Sequence, residues 1–360
     1  MWLTHPVPGP LLRAALRQAF ARHVPGTAFG NVVVRIGAYA FDSLASWRDR
    51  LLDPILDIDG VTSLDLDEER NRLVIGVSSQ SARPAVLREL SRREVPPSAV
   101  VVEAEEEAAM LLPDEASVPS EATNGCPSIE SLCRPLWAGL QIGRRKPGDP
   151  QKFFECTIGL IATIDGVRVF ITASHCSTDK WSLDNTIQNQ PYPLSSGDVL
   201  RIGGEWRDPN APGCGFLGIA NCRYSDASAF RLDGGIHGEG TVARPQTVGI
   251  WPTPSGGFAI DPQNPSWPIK GPASTSIYVN MLLQKVGAGT GWTRGPVSKT
   301  CKDVKTGFFG LGHRLYCQHF VQVGSNKGDS GSPVFTMADS DGAVFVMGIG
   351  ILALRTCSAL

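Results

Sequence analysis

At 360 residues the chain has room for more than one domain. Its 42% hydrophobic and 19% charged residues suit a buried core, and a formal net charge of −2 gives no electrostatic reason to expect nucleic acid or an anionic membrane as partner. No run of 18 apolar residues predicts a membrane span, and 39 Gly with 27 Pro favour turn-rich β architecture over a helical bundle.

Residues 1–103 read as a small cysteine-free α/β domain. The start, Met1-Trp2-Leu3-Thr4-His5-Pro6, has no basic stretch leading into an apolar one, so no signal peptide is expected in this chain. Leu12, Leu16 and Phe20 repeat at helical spacing between Pro10 and Pro25. Asn31 to Tyr39 reads as a strand, and Leu44, Trp47 and Leu51 share a helix face. Leu64 and Leu66, then Leu73, Ile75 and Val77, alternate as two strands around the charged turn 67–71. Val86, Leu87 and Leu90 follow Pro84 in a helix, and Val100-Val101-Val102 close the domain as a strand. The order βαββαβ predicts a ferredoxin-like fold; an unrelated small α/β domain is the alternative.

Residues 104–133 predict an acidic linker. Glu103, Glu105, Glu106, Glu107, Asp114, Glu115 and Glu121 occur without a Lys or Arg up to residue 125. Such a stretch is expected to be solvated and open to proteolysis.

From residue 134 to 360 the pattern is β throughout. Runs such as 157–163, 167–172, 199–202 and 344–352 are short, apolar and separated by Gly, Asp or Pro. Asp165-Gly166 is a hairpin signal between two of them. All nine cysteines lie between Cys126 and Cys357, and none is spaced Cys-x-x-Cys, so disulfides in an oxidising compartment fit better than a metal site, and no cofactor is expected. Cys156 and Cys176 would staple the hairpin that carries His175, and closing a loop of this size contributes about 3 kcal/mol. Cys301–Cys317 is expected across two neighbouring strands, and Cys214–Cys222 is a third candidate. An odd count leaves at least one thiol unpaired.

Two stretches carry chemistry. In Gly324-Ser325-Asn326-Lys327-Gly328-Asp329-Ser330-Gly331-Ser332-Pro333 a serine sits among small residues in a tight loop. The N–H groups of Gly328 and Ser330 would form an oxyanion hole beside the Ser330 hydroxyl. A serine needs a base within hydrogen-bond reach, and Thr172-Ala173-Ser174-His175-Cys176 offers one.

Together, Gly-Asp-Ser-Gly-Ser-Pro and Thr-Ala-Ser-His-Cys resemble the chymotrypsin-like (trypsin superfamily) serine proteases. The segment Gly287-Ala288-Gly289-Thr290-Gly291-Trp292-Thr293-Arg294-Gly295-Pro296-Val297 is similar to a strand pair of the secreted bacterial streptogrisin and α-lytic branch. The resemblance covers roughly residues 134–355. It implies two six-stranded antiparallel barrels with the active site between them, and it makes residues 1–103 similar to a pro-region that assists folding and is then cut away. Protein or peptide substrates, a secreted or periplasmic location and a monomer are expected with it.

The resemblance also implies a triad of His175, Asp226 and Ser330. Asp226, in Ser225-Asp226-Ala227-Ser228-Ala229-Phe230, matches the family's acid-bearing strand; Asp184 and Asp198 are the alternatives, as Ser325 and Ser332 are to Ser330. Gly324 and Ser325, with Gly350, Ile351 and Leu352, are expected to line the primary substrate pocket, which would hold no acid to select Arg or Lys. The family usually adds a further strand pair and a terminal helix after the strand that ends at Ile351, so either a compact branch or a truncated C-terminus is expected. No Ile-Val-Gly-Gly-like segment stands near Gly139, so activation through a freed N-terminal amine is not expected. A catalytically impaired binding protein and an esterase are the competing functions.

Overall fold

Helical spacing of apolar residues and Pro near a first turn account for the two helices of the N-terminal unit. A computed structural model describes residues 2–3, 35–108, 114–123, 125–272, 277–306, 313–337 and 343–349. Helix α1 (Phe41–Leu56) buries Leu44, Leu51, Ile55 and Leu56, and α2 (Arg83–Arg92) starts on Pro84 and buries Val86 and Leu90. They cover one face of strands β1 (Val61–Asp67), β2 (Arg72–Val77) and β3 (Val100–Ala104).

The element order is the expected one, but the pairing is not ferredoxin-like. β3 pairs directly with β2 in parallel, where a split βαβ unit would place the first strand between them. The first expected strand is described only at Arg35–Ile36, which pairs with Trp2–Leu3 in a separate sheet. The helix expected over Leu12, Leu16 and Phe20 lies outside the described residues.

β1 has another neighbour instead. Asp303 and Val304 pair antiparallel with Leu64 and Ser63, so the N-terminal sheet runs on into the C-terminal part of the chain. The partner is a long hairpin whose two strands are introduced below. Charge complementarity fastens this junction. Lys299 reaches Asp65 and Asp67 at 3.2 and 2.6 Å, and Lys302 pairs with Glu105. Arg314 pairs with Asp53 and Asp57 at the end of α1. Arg48 points the other way, with Nε and Nη2 donating to the fully buried Asp303 carboxylate at 2.9 and 2.5 Å.

The acidic segment departs from the solvated-linker expectation. β4 (Asp114–Ser117) pairs antiparallel with Lys152–Glu155, and Glu115 takes ion pairs from Lys146 and Lys152. A Cys126–Cys133 disulfide closes a loop whose Ile129 is fully buried. Backbone hydrogen bonds do not depend on side-chain polarity, so a charged strand can add to an open sheet edge.

The β region begins with β5 (Gln141–Lys146), β6 (Asp149–Thr157), β7 (Leu160–Ile164), β8 (Val167–Ala173), β9 (Ile187–Asn189), β10 (Arg201–Arg207) and β11 (Ala227–Leu232). With β4 they form an antiparallel sheet of order β7-β8-β11-β10-β9-β5-β6-β4. Asp165 and Gly166 both take positive φ, 50° and 79°, in the turn between β7 and β8, as the Asp-Gly signal predicts. The run expected at 199–202 begins its strand only at Arg201, and Val199 is exposed.

The second β system contains β12 (Gly238–Ala243), β13 (Ser266–Pro272), β14 (Leu282–Gly287), β15 (Gly291–Thr306), β16 (His313–Val321), β17 (Pro333–Met337) and β18 (Val344–Ile349). β15 and β16 are the long hairpin that carries the N-terminal sheet. The fold is thus mostly β, largely antiparallel, with one apolar core shared by both β systems, from Ile129 and Phe170 to Trp267, Phe335 and Val344. Among the described residues no helix is long and apolar enough to cross a membrane.

The expected Cys156–Cys176, Cys301–Cys317 and Cys214–Cys222 bridges are present, with Cys126–Cys133 as a fourth. Four disulfides fit an oxidising compartment. Cys357 lies outside the described residues.

Candidate active site

Strand register brings the imidazole and the carboxylate together. β8 pairs antiparallel with β11, with Ala173 opposite Ala227. His175 follows β8 in a single 3₁₀ turn, and Asp226 immediately precedes β11, so both emerge at the same end of the pair. The Ser174 N–H donates to the Asp226 carbonyl at 3.1 Å and closes the corner. The Cys156–Cys176 bridge ties the end of β6 to this turn.

Ser330 arrives from the other β system. Its carbonyl accepts from Thr157 N–H at 2.8 Å, and the Thr157 hydroxyl donates to Gly328 O at 2.8 Å. Gly331 has φ +88°, and a side chain there would come within 2.1 Å of Thr172 Oγ1 and 2.4 Å of Thr157 O. Only glycine allows the loop to approach the strands this closely.

The result is a linear constellation. His175 Nε2 lies 2.6 Å from Ser330 Oγ, and His175 Nδ1 is hydrogen-bonded to Asp226 Oδ2. His175, Asp226 and Ser330 are 3%, 0% and 6% exposed, so the contacts are shielded from bulk water while the serine keeps an edge at the surface. Burial would raise the Asp226 carboxyl, but the imidazole and the Trp181 indole hold it below the usual carboxylate range. Such a chain can move a proton from the hydroxyl to the imidazole while the carboxylate stabilises the imidazolium.

The alternatives lie elsewhere. Asp184 contacts Thr186 and Glu205, and Asp198 contacts Arg145 and Asn189. The Ser332 hydroxyl donates to Asp329 O at 2.6 Å, and Ser325 is exposed.

The Gly328 and Ser330 N–H groups, the expected oxyanion donors, meet no acceptor among the described residues, while the Asp329 N–H between them donates to Asn326 O at 3.1 Å. Asp329 anchors the loop from below: its Oδ1 accepts from Gly289 and Thr290 N–H and its Oδ2 from Asn326 N–H and the Thr290 hydroxyl. Lys285 Nζ lies 2.9 Å from Asp329 Oδ1, inside the protein. Gly324 is tied down through its carbonyl, which accepts from the Thr293 hydroxyl at 3.1 Å. Gly350, Ile351 and Leu352 lie outside the described residues.

Two residues at the site escaped the sequence reading. Lys285 sits in a strand buried from Leu283 to Gly287, just ahead of the glycine-rich Gly287–Val297 segment, and burial pushes its ammonium below the usual range although Asp329 pulls the other way. Trp181 donates its indole N–H to Asp226 Oδ1 at 2.8 Å. A lone tryptophan in the loop after His175 gave no signal.

No protein-family model and no curated protein matches the chain. Among solved structures it is similar to Thermobifida fusca protease A, at 14% identity and a TM-score of 0.37, over 59% of this chain and 81% of that one. An α-lytic protease homolog, N4, matches at 14% identity and a TM-score of 0.38, over 61% of this chain and 85% of that one. A glutamic acid-specific serine protease matches at 20% identity and a TM-score of 0.35, over 59% and 91%.

Proposed function

We propose that the chain is a serine endopeptidase. One observation carries the reading: Ser330 Oγ, the His175 imidazole and the Asp226 carboxylate stand in line, with 2.6 Å between hydroxyl and ring nitrogen. In this reading Ser330 attacks the scissile carbonyl and His175 takes its proton, then returns it to the leaving amine. The Gly328 and Ser330 N–H groups bind the oxyanion, and water hydrolyses the acyl-enzyme. The two β systems are the two barrels of a chymotrypsin-like protease, and residues 1–103 are its pro-region. The four disulfides support an extracellular or periplasmic site of action.

A fluorophosphonate probe tests this directly. The purified protein should be phosphonylated at Ser330, with fluoride as the leaving group, and should hydrolyse peptide substrates. A protein that takes up no label would be a binding module on this fold, and one that cleaves esters and never peptides would be an esterase.

A further inference from the structure

Asp226 is fully buried, and a buried carboxylate needs its lone pairs satisfied. Its Oδ2 faces the imidazole. Its Oδ1 accepts the His175 backbone N–H at a long 3.3 Å and the Trp181 indole N–H at 2.8 Å. The indole is therefore the stronger of the two restraints on rotation of the carboxylate.

The indole is itself held from several sides. Trp181 N–H donates to Ser174 Oγ at 2.6 Å, Ser174 Oγ donates to Asp208 Oδ2 at 2.5 Å, and Arg223 pairs with Asp208 at 2.9 Å. Trp181 adopts φ +61°, which few side-chain-bearing residues take without such support. The His313 ring packs edge-on against the indole at 4.4 Å. Val304 and Leu315 of the β15–β16 hairpin and Ala108 complete the apolar seat, leaving the tryptophan 5% exposed.

We propose that Trp181 is a positioning residue for the reaction: its indole N–H locks the Asp226 carboxylate in the orientation that presents Oδ2 to His175, and its ring keeps water off Oδ1. The proposal rests on the protease reading. It assigns to the loop after His175, and to the hairpin pressed against it, the alignment of the acid in the triad.

The test removes the N–H and keeps an aromatic ring in its place. Trp181→Phe, and a second protein with benzothienylalanine at 181, which keeps the indole's shape with sulfur in place of N–H, are compared with wild type. Loss of one charge-assisted hydrogen bond should lower kcat by about 10- to 100-fold with KM nearly unchanged. The far-downfield proton NMR signal of the His175–Asp226 hydrogen bond should shift or broaden in both variants. If Trp181→Phe fails to fold, the benzothienylalanine protein decides alone. A kcat within about twofold of wild type in that protein, with the downfield signal unmoved, overturns the proposal. If the wild type turns over no substrate yet the signal moves when the N–H is removed, the protease reading fails and the positioning role stands.

Discussion

Lys285 Nζ and Asp329 Oδ1 lie 2.9 Å apart with each side chain 5% exposed, so the carboxylate that shapes the Ser330 loop finds its counter-charge within the same β system. Removing one partner of a buried pair leaves an uncompensated charge, at about 3–5 kcal/mol. Lys285→Met should destabilise the protein by that order in denaturant unfolding. It should also slow fluorophosphonate labelling, because the Gly328 and Ser330 N–H groups lose their fixed direction. Wild-type labelling kinetics in a destabilised Lys285→Met would separate the pair from the chemistry.

On the proposed reading Ser330, His175 and Asp226 should fail as a unit. Ser330→Ala and His175→Ala are each expected to reduce turnover about 10⁶-fold. Asp226→Asn should reduce it about 10⁴-fold through the wrong imidazole tautomer. Steady-state kinetics on a peptide substrate measures all three; near-normal turnover in Asp226→Asn would remove Asp226 from the mechanism.

Glu205 predicts a pH dependence of stability. Burial, with the Asp184 carboxylate next to it, pushes its carboxyl up to about 7. It accepts from the Ser177 hydroxyl and from Asp184 N–H, and so ties down both ends of the loop that carries Trp181. The folded chain keeps a proton that the unfolded chain releases near pH 4.3. The stabilisation is therefore complete below about pH 4 and is lost as pH rises through about 7, a change of about 1–3 kcal/mol. Glu205→Gln mimics the protonated form and should flatten the dependence. Melting temperatures of both proteins across about pH 5 to 8 are the measurement; equal slopes would mean that another group is responsible.

On the proposed pro-region reading, self-cleavage should fall before Asp114 rather than later in the 104–133 segment. β4 is hydrogen-bonded to β6, the Leu132 N–H donates to Thr123 O, and Ile129 N–H donates to Phe258 O. A product beginning at Cys133 would forfeit these bonds and the Cys126–Cys133 bridge. Wild-type protein should lose the N-terminal unit by self-cleavage upstream of Asp114, and Ser330→Ala expressed alone should stay full length. N-terminal sequencing and intact mass decide, and identical processing of both would exclude self-cleavage. Cleavage would separate Asp53, Asp57, Asp65, Asp67 and Glu105 from their partners on the hairpin only by dissociation, so the cut unit should stay bound until salt or acid weakens the ion pairs.

Local chemistry was legible in the sequence where function depends on a short contiguous loop. Ser330 between Gly328 and Gly331, and His175 just after an apolar strand, announce themselves because backbone conformation at those positions is set by immediate neighbours. The Asp165-Gly166 turn and the helices starting near Phe41 and Pro84 were readable for the same reason. Asp226 was legible only through a resemblance, since nothing local distinguishes it from Asp184 or Asp198; the Ala173–Ala227 register chose it. The acidic segment at 104–133 suggested solvation, yet strand addition is made by backbone groups, which charge does not remove. The order of strands in the N-terminal unit was readable, but their adjacency was not: which edge is free depends on where the β15–β16 hairpin docks. Trp181 and Lys285 had no signal at all. Each meets a partner far along the chain, at a distance of less than 3 Å that exists only once the sheets have packed.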